Sequence, residues 1–149
     1  MIIRKYVPDD YKKINRRNWD KISEARFPDK DVVAINLSRG YAYTMVCDEG
    51  IVACGGIIPL WKGVGEAWAI TSELLNMYRL SFAKAARKLV DTAIKELELE
   101  RIQAVVIEGH KDSIKWVEWI GFEEEGLMRR YIDGRNYIRY ALIKDKGDS

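Results

Sequence analysis

The sequence predicts a mixed α/β (α+β) domain, a central sheet of about seven strands with helices on both faces. Three observations predict it. A strand-helix-strand unit runs from Val64 to Ile107. Alternating and apolar runs from Tyr41 to Leu60 read as antiparallel strands feeding that unit, and Asp133-Gly134 joins two late strands as a hairpin.

The central unit is the clearest. Phe82, Ala85, Ala86, Leu89, Val90, Ala93, Ile94 and Leu97 recur at spacings of three and four, which places them on one face of a helix. Ala67 to Ile70 precede it as a strand. Ala104 to Ile107 follow as a continuous apolar run, expected of a strand covered on both faces. Such a crossover pairs its strands in parallel and is right-handed in nearly all cases.

The remaining elements follow in order. Met1 to Val7 reads as a strand, and Pro8-Asp9-Asp10 as a helix start in which Asp9 or Asp10 can cap exposed N–H groups. Tyr11, Ile14, Trp19, Ile22 and Ala25 then recur at roughly helical spacing until Pro28, with Lys12, Lys13, Arg16 and Arg17 on the other side as a solvated face. Asp29 to Gly40 is either a short helix or a loop. Tyr41 to Cys47, a turn at Asp48-Glu49-Gly50, and IVACGGII form two antiparallel strands, and Lys62-Gly63 turns into the third strand of a meander. Gly55-Gly56 suggests a bulge or the close approach of another backbone. After Ile107, Asp112 or Ser113 can cap a short helix carrying Ile114, Val117 and Ile120 inward, closed by Gly121 and Phe122. Residues 1–144 form one domain in this reading, and 145–149 a polar, frayed tail.

Composition narrows the function classes. The chain has 149 residues, 48% hydrophobic and 32% charged, and 25 basic against 23 acidic residues leave a net charge of +2, which calls for no nucleic-acid partner. Cys47 and Cys54 read as reduced thiols rather than a disulfide framework, consistent with a cytoplasmic protein. The N-terminus is too charged for a signal peptide, no segment is long enough to span a bilayer, and no metal site is assigned.

The start of the crossover helix is where a ligand would be sought. A first helical turn carries unpaired N–H groups and partial positive charge, and Lys84, Arg87 and Lys88 crowd the first two turns of this helix. Either an anionic ligand resolves that mismatch or the three cations decorate a solvated face. No glycine lies between Glu66 and Gly109, which argues against a tight phosphate cradle.

This order of elements resembles the GNAT (GCN5-related) N-acetyltransferases over nearly the whole chain. IIRKYVPDDYKKI is similar to that family's opening, an Arg in the first strand followed by a Pro and an Asp. HKDSIKWVEWIGFEEEGLMRRYI is similar to its C-terminal signature, which ends in Gly-Phe before an outer hairpin. The pattern departs from the family at the Gln/Arg-x-x-Gly-x-Gly/Ala loop, where Arg79, Phe82 and Lys84 (or Ser81, Lys84 and Ala86) stand. It departs again at His110, in place of the usual Asn, and at Val117, in place of the usual acidic Tyr. WAITSELL and RLSFAKAARKL also resemble a divergent bacteriophage branch, some of whose members are internal virion proteins.

The resemblance implies transfer of an acetyl group from acetyl-CoA to an amine, small or on a protein. It implies a splayed fourth strand whose Ala69, Ile70 and Thr71 offer backbone groups to the thioester. It places Arg79, Ser81, Phe82, Ala83, Lys84 and Lys88 around the cofactor phosphates. Glu66, Glu73 and His110 are the candidate bases, His110 being the chain's only histidine, with an ordinary pKa of ~6.5. Each also has an ordinary reading as a solvated or capping residue. Tyr78 or Tyr131 can stand in for the missing acid, and Trp61, Trp68, Trp116 and Trp119 either line an acceptor groove or pack the core. The alternative to an enzyme is a GNAT-fold protein without catalysis that serves as a structural component, located in a virion interior and partnered by phage protein. A homodimer is compatible with both.

Overall fold

The computed structural model describes residues 1–144; the expected polar tail at 145–149 lies outside the described residues. Seven strands form one sheet in the order β1-β2-β3-β4-β5-β7-β6. Their ranges are β1 Ile2–Lys5, β2 Tyr41–Cys47, β3 Gly50–Trp61, β4 Val64–Thr71, β5 Arg101–Ile107, β6 Glu123–Ile132 and β7 Arg135–Ile143. All neighbours pair antiparallel except β4 and β5, the two strands of the crossover. Helices α1 Pro8–Lys13, α2 Asn18–Ser23 and α3 Lys30–Asn36 cover one face, and α4 Arg79–Glu96 and α5 Lys111–Ile120 the other.

Periodicity explains why α4 lies where it does. Val90 and Ala93 are buried against Ile57, Ile102, Ala104 and Val106, with Leu89 and Ile94 packed beside them. On the opposite face Tyr6, Tyr11, Ile14, Ala34, Cys54 and Ile70 form a second core, and the Trp68 indole meets Tyr6 edge-on at 5.6 Å. The hairpin turn has positive φ at both Asp133 (50°) and Gly134 (71°), the left-handed pair that a two-residue primed turn requires. Gly121, φ 120°, closes α5, and Phe122 N–H reaches back to the Val117 carbonyl.

Two expectations are corrected, and an alternative is resolved. The predicted single helix from Tyr11 toward Pro28 is two, because at 14–17 the chain leaves helical geometry to hydrogen-bond the end of β4: Arg17 N–H donates to the Thr71 carbonyl and Arg16 bridges Ser72. Neither Asp112 nor Ser113 caps α5. Its N-cap is His110, Asp112 reaches Arg79 instead, and Ser113 Oγ lies 2.9 Å from His110 Nδ1. There is no bulge at Gly55-Gly56; the close approach is the reason for glycine, since a Cβ on Gly56 would sit 2.3 Å from the Tyr41 carbonyl oxygen. Cys47 and Cys54 are both free thiols, and burial pushes Cys54 up to about 11.

Candidate functional site

The site begins where β4 and β5 stop pairing. They are in register only from Val64 to Glu66 against Arg101 to Gln103, after which the strands separate. β3 holds one side of β4, pairing Ile70 with Cys54, and Ser72 N–H bonds the Val52 carbonyl. In an antiparallel ladder successive residues alternate direction, so Ala69 and Thr71 turn their N–H and C=O toward the side that β5 has vacated. At Thr71 the vacancy is filled from α2: its N–H donates to Asp20 Oδ2 (3.0 Å), its hydroxyl to the same oxygen (3.2 Å), and its carbonyl accepts from Arg17 N–H. Ala69 is left exposed with no strand partner on that side.

The separation opens a cleft of about 550 Å³ that passes between the strands and beneath α4. Its floor includes Ala53, Gly55, Ala67 and Ala69, its roof Phe82, Ala85, Ala86 and Leu89, and its far wall Trp19, Asp20 and His110. Sequence reasoning missed Asp20. It lies 51 positions from Thr71, and nothing local distinguishes it from the other carboxylates of a helix start. Burial pushes its pKa up to about 6, against the hydrogen bonds from Thr71 and the charge of Arg17. Both Thr71 bonds go to Oδ2, leaving Oδ1 with no protein partner among the described residues.

His110 stands at the end of β5, 7% exposed, stacked flat on Trp19 with centroids 4.7 Å apart. Its Nε2 is buried without a hydrogen-bond partner. Burial, helped by the Arg17 charge and opposed by Asp112, lowers its pKa to about 4, so the ring is neutral near pH 7. A lowered histidine pKa contributes stability that is complete above ~6.5, the unfolded value, and is lost as pH falls through about 4. His110→Phe, which can keep the stack on Trp19, is expected to remove that acid-sensitive contribution of about 3 kcal/mol. Urea titrations of both proteins at pH 7 and 4.5 check it: the variant must gain on wild type as pH falls, and parallel profiles would disprove the assignment.

The other predicted site residues are dispersed. Glu66 sits where the strands part, ion-paired to Arg139 at 3.3 Å, and burial raises its pKa against that arginine. Glu73 is exposed on the 3-10 turn Glu73–Met77, accepting from Asn76, and does not line the cleft. Ile70 faces the α1/α3 core. Arg79 is paired with Asp112 (3.3 Å) and with Asn76 at the opening of α4; Ser81 is half-buried and Ala83 buried. The helix starts at Arg79, so Lys84, Arg87 and Lys88 belong to its second and third turns. They line a shallow groove against α5, with Arg87 over the Trp119 ring at 4.9 Å. Among the tryptophans Trp68 and Trp116 line the cleft, Trp116 against Phe82 (centroids 4.9 Å), whereas Trp61 is exposed. Val117 lines the cleft and brings no proton donor. Tyr78 packs against the Met45 cluster, and Tyr131 edges onto Tyr137.

Seven strands in this order, parted after β4 and covered by two helices at the parting, define the GNAT fold. The chain is similar to solved structures of that class. An acetyltransferase of the GNAT family from Bacillus anthracis matches with a TM-score of 0.70 at 17% identity, over 95% of this chain and 93% of that one. A ribosomal-protein-S5-alanine acetyltransferase from Vibrio fischeri matches at 0.70 and 17%, over 99% and 94%. A spermidine N-acetyltransferase from Vibrio cholerae matches at 0.68 and 13%, over 96% and 95%. No protein-family model matches the chain, and no curated protein sequence does. No helix among the described residues is long and apolar enough to cross a membrane.

Proposed function

We propose that this chain is a GNAT-type N-acyltransferase that moves an acetyl group from acetyl-CoA to an amine. The observation that supports it is the parting of β4 from β5, which leaves Ala69 with backbone groups facing an apolar cleft and no strand to pair with. An extended, amide-bearing arm lying there would complete the ladder that β5 abandons. The fit differs along the cofactor. Ala69 suits the arm, but Thr71 is already engaged by Asp20 and Arg17. At the phosphate end the loop has no glycine, and Phe82 packs on Trp116. The phosphates would therefore meet the free N–H groups of Arg79, Leu80 and Ser81 and the Arg79 guanidinium rather than a wrapped backbone.

When bound, acetyl-CoA supplies an acyl carbon activated as a thioester. The protein's own residues supply position and proton transfer. Asp20 Oδ1 takes the proton from the ammonium nitrogen, which must be uncharged to attack, and a pKa of about 6 keeps the carboxylate ionised at pH 7 while leaving it basic enough to act. Thr71 and Arg17 fix that carboxylate through Oδ2 and the backbone. Neutral His110, stacked on Trp19, borders the same space.

Calorimetric titration with acetyl-CoA tests the reading. Binding near a micromolar Kd, about −8 kcal/mol, is expected, with Arg79→Glu at least tenfold weaker. No heat and no thermal shift at millimolar acetyl-CoA would overturn it.

A further inference from the structure

Beyond the extended arm placed beside Ala69, the cleft continues beneath α4 as an apolar channel that leads away from the wedge. One rung of the sheet carries Ala69, Gly55 and Tyr43 in register across β4, β3 and β2. All three line the same cavity of about 550 Å³, with Ala85 and Ala86 of α4 above them. The rung spans two strand spacings, ~10 Å, and ends at Tyr43, which is 40% exposed. The wedge end of the same cavity is polar. His110 lines it, 93% buried by its 7% exposure, and its Nε2 has no partner. A cavity with an orphaned buried nitrogen at one end and small apolar side chains leading away from it matches an amphipathic ligand.

We infer that the acyl donor is a medium-chain thioester, its carbonyl end at the wedge beside His110 and its alkyl chain running beneath α4 over Gly55 toward Tyr43. This rests on the acyltransferase reading and narrows its donor. A chain of roughly eight carbons, at ~1.5 Å per bond less the zigzag, covers the rung. Transfer of that group makes the amide bond to the amine nitrogen and breaks the carbon–sulfur bond, releasing the thiol, as it does for acetyl. Burial of each methylene gains roughly a factor of four in affinity.

The test measures dissociation constants of acetyl-, butyryl-, hexanoyl- and octanoyl-CoA for wild type, Gly55→Val and Ala86→Leu, with melting curves for each. A Cβ on Gly55 has the Trp68 carbonyl oxygen as its nearest neighbour at 3.3 Å, so a valine enters the channel at the cost of a small adjustment. Octanoyl-CoA is expected to bind wild type at least 30-fold more tightly than acetyl-CoA. The gain should fall to threefold or less in either folded variant, with acetyl-CoA affinity kept. The wild-type series decides even if a variant fails to fold. Acetyl-CoA binding with no gain along the series overturns this inference and leaves the acyltransferase reading standing, whereas no binding by any of the four thioesters overturns both.

Discussion

Asp20→Asn is expected to slow acyl transfer by ~10²–10⁴-fold while making the protein more stable at pH 7. The rate falls because an amide accepts no proton from the ammonium. Stability rises because burial raises the Asp20 pKa to about 6, so the ionised form is disfavoured in the folded state. A carboxylate with a raised folded pKa contributes stability that is complete below its unfolded value, ~3.9, and is lost as pH rises through about 6. Above that window the wild type carries a cost of about 3 kcal/mol, which the amide avoids. The asparagine also keeps an acceptor for the Thr71 N–H. The checks are thiol release with an amine that wild type accepts, across pH 5 to 8, and urea unfolding at pH 7. Wild-type activity should rise through an inflection near pH 6 that the variant lacks. An unchanged rate, or the same inflection in the variant, would remove Asp20 from the mechanism.

That stability shift runs opposite to the one at His110 over nearly the same pH range. As pH falls from about 6.5 to 4, wild type gains at Asp20 what it loses at His110, so its own profile is shallow. Asp20→Asn should expose the loss at His110 as a steep acid limb.

The largest stability effect is expected for Asp10→Ala, a loss of about 3 kcal/mol or more. Asp10 is 2% exposed and its carboxylate is used four times. It accepts from Arg4 through both oxygens (2.8 and 2.7 Å), from Val7 N–H (3.0 Å) and from Thr44 Oγ1 (2.8 Å). These bonds fasten β1, the first turn of α1 and β2 to one another. Burial would raise the pKa of this carboxyl, but the donors together hold it below the usual carboxylate range. Alanine leaves the buried Thr44 hydroxyl only the weak contact with Cys54 Sγ at 3.6 Å and unties the start of α1, each a cost of ~1–3 kcal/mol. The cost stays near the low end for a buried pair because the Arg4 side chain reaches solvent. Urea unfolding at pH 7 measures it, and a loss under 1 kcal/mol would show that Asp10 fastens nothing. Arg, Pro and Asp, met in the sequence as an opening motif, thus have a structural meaning: Arg4 pairs with Asp10 across the turn that Pro8 begins.

The sequence by itself determined the elements whose energetics are local. Apolar residues three and four apart could bury only as one face of α4, because no other backbone geometry brings them to a common side. Asp133-Gly134 favoured a two-residue turn because both positions tolerate positive φ, and Gly121 ended α5 for the same reason. From these the order of elements followed, and with it the fold. Tertiary structure alone decided the site. Whether Asp20 would face the cleft depended on where the helix beginning at Pro8 broke. It broke to satisfy the end of β4, a hydrogen-bonding demand created when β5 leaves, far along the chain. Glu66 likewise read as a free carboxylate until β7, placed beside β5, brought Arg139 to it. A side chain's propensity is set by its own backbone, but its pKa and accessibility are set by neighbours that only the folded sheet assembles.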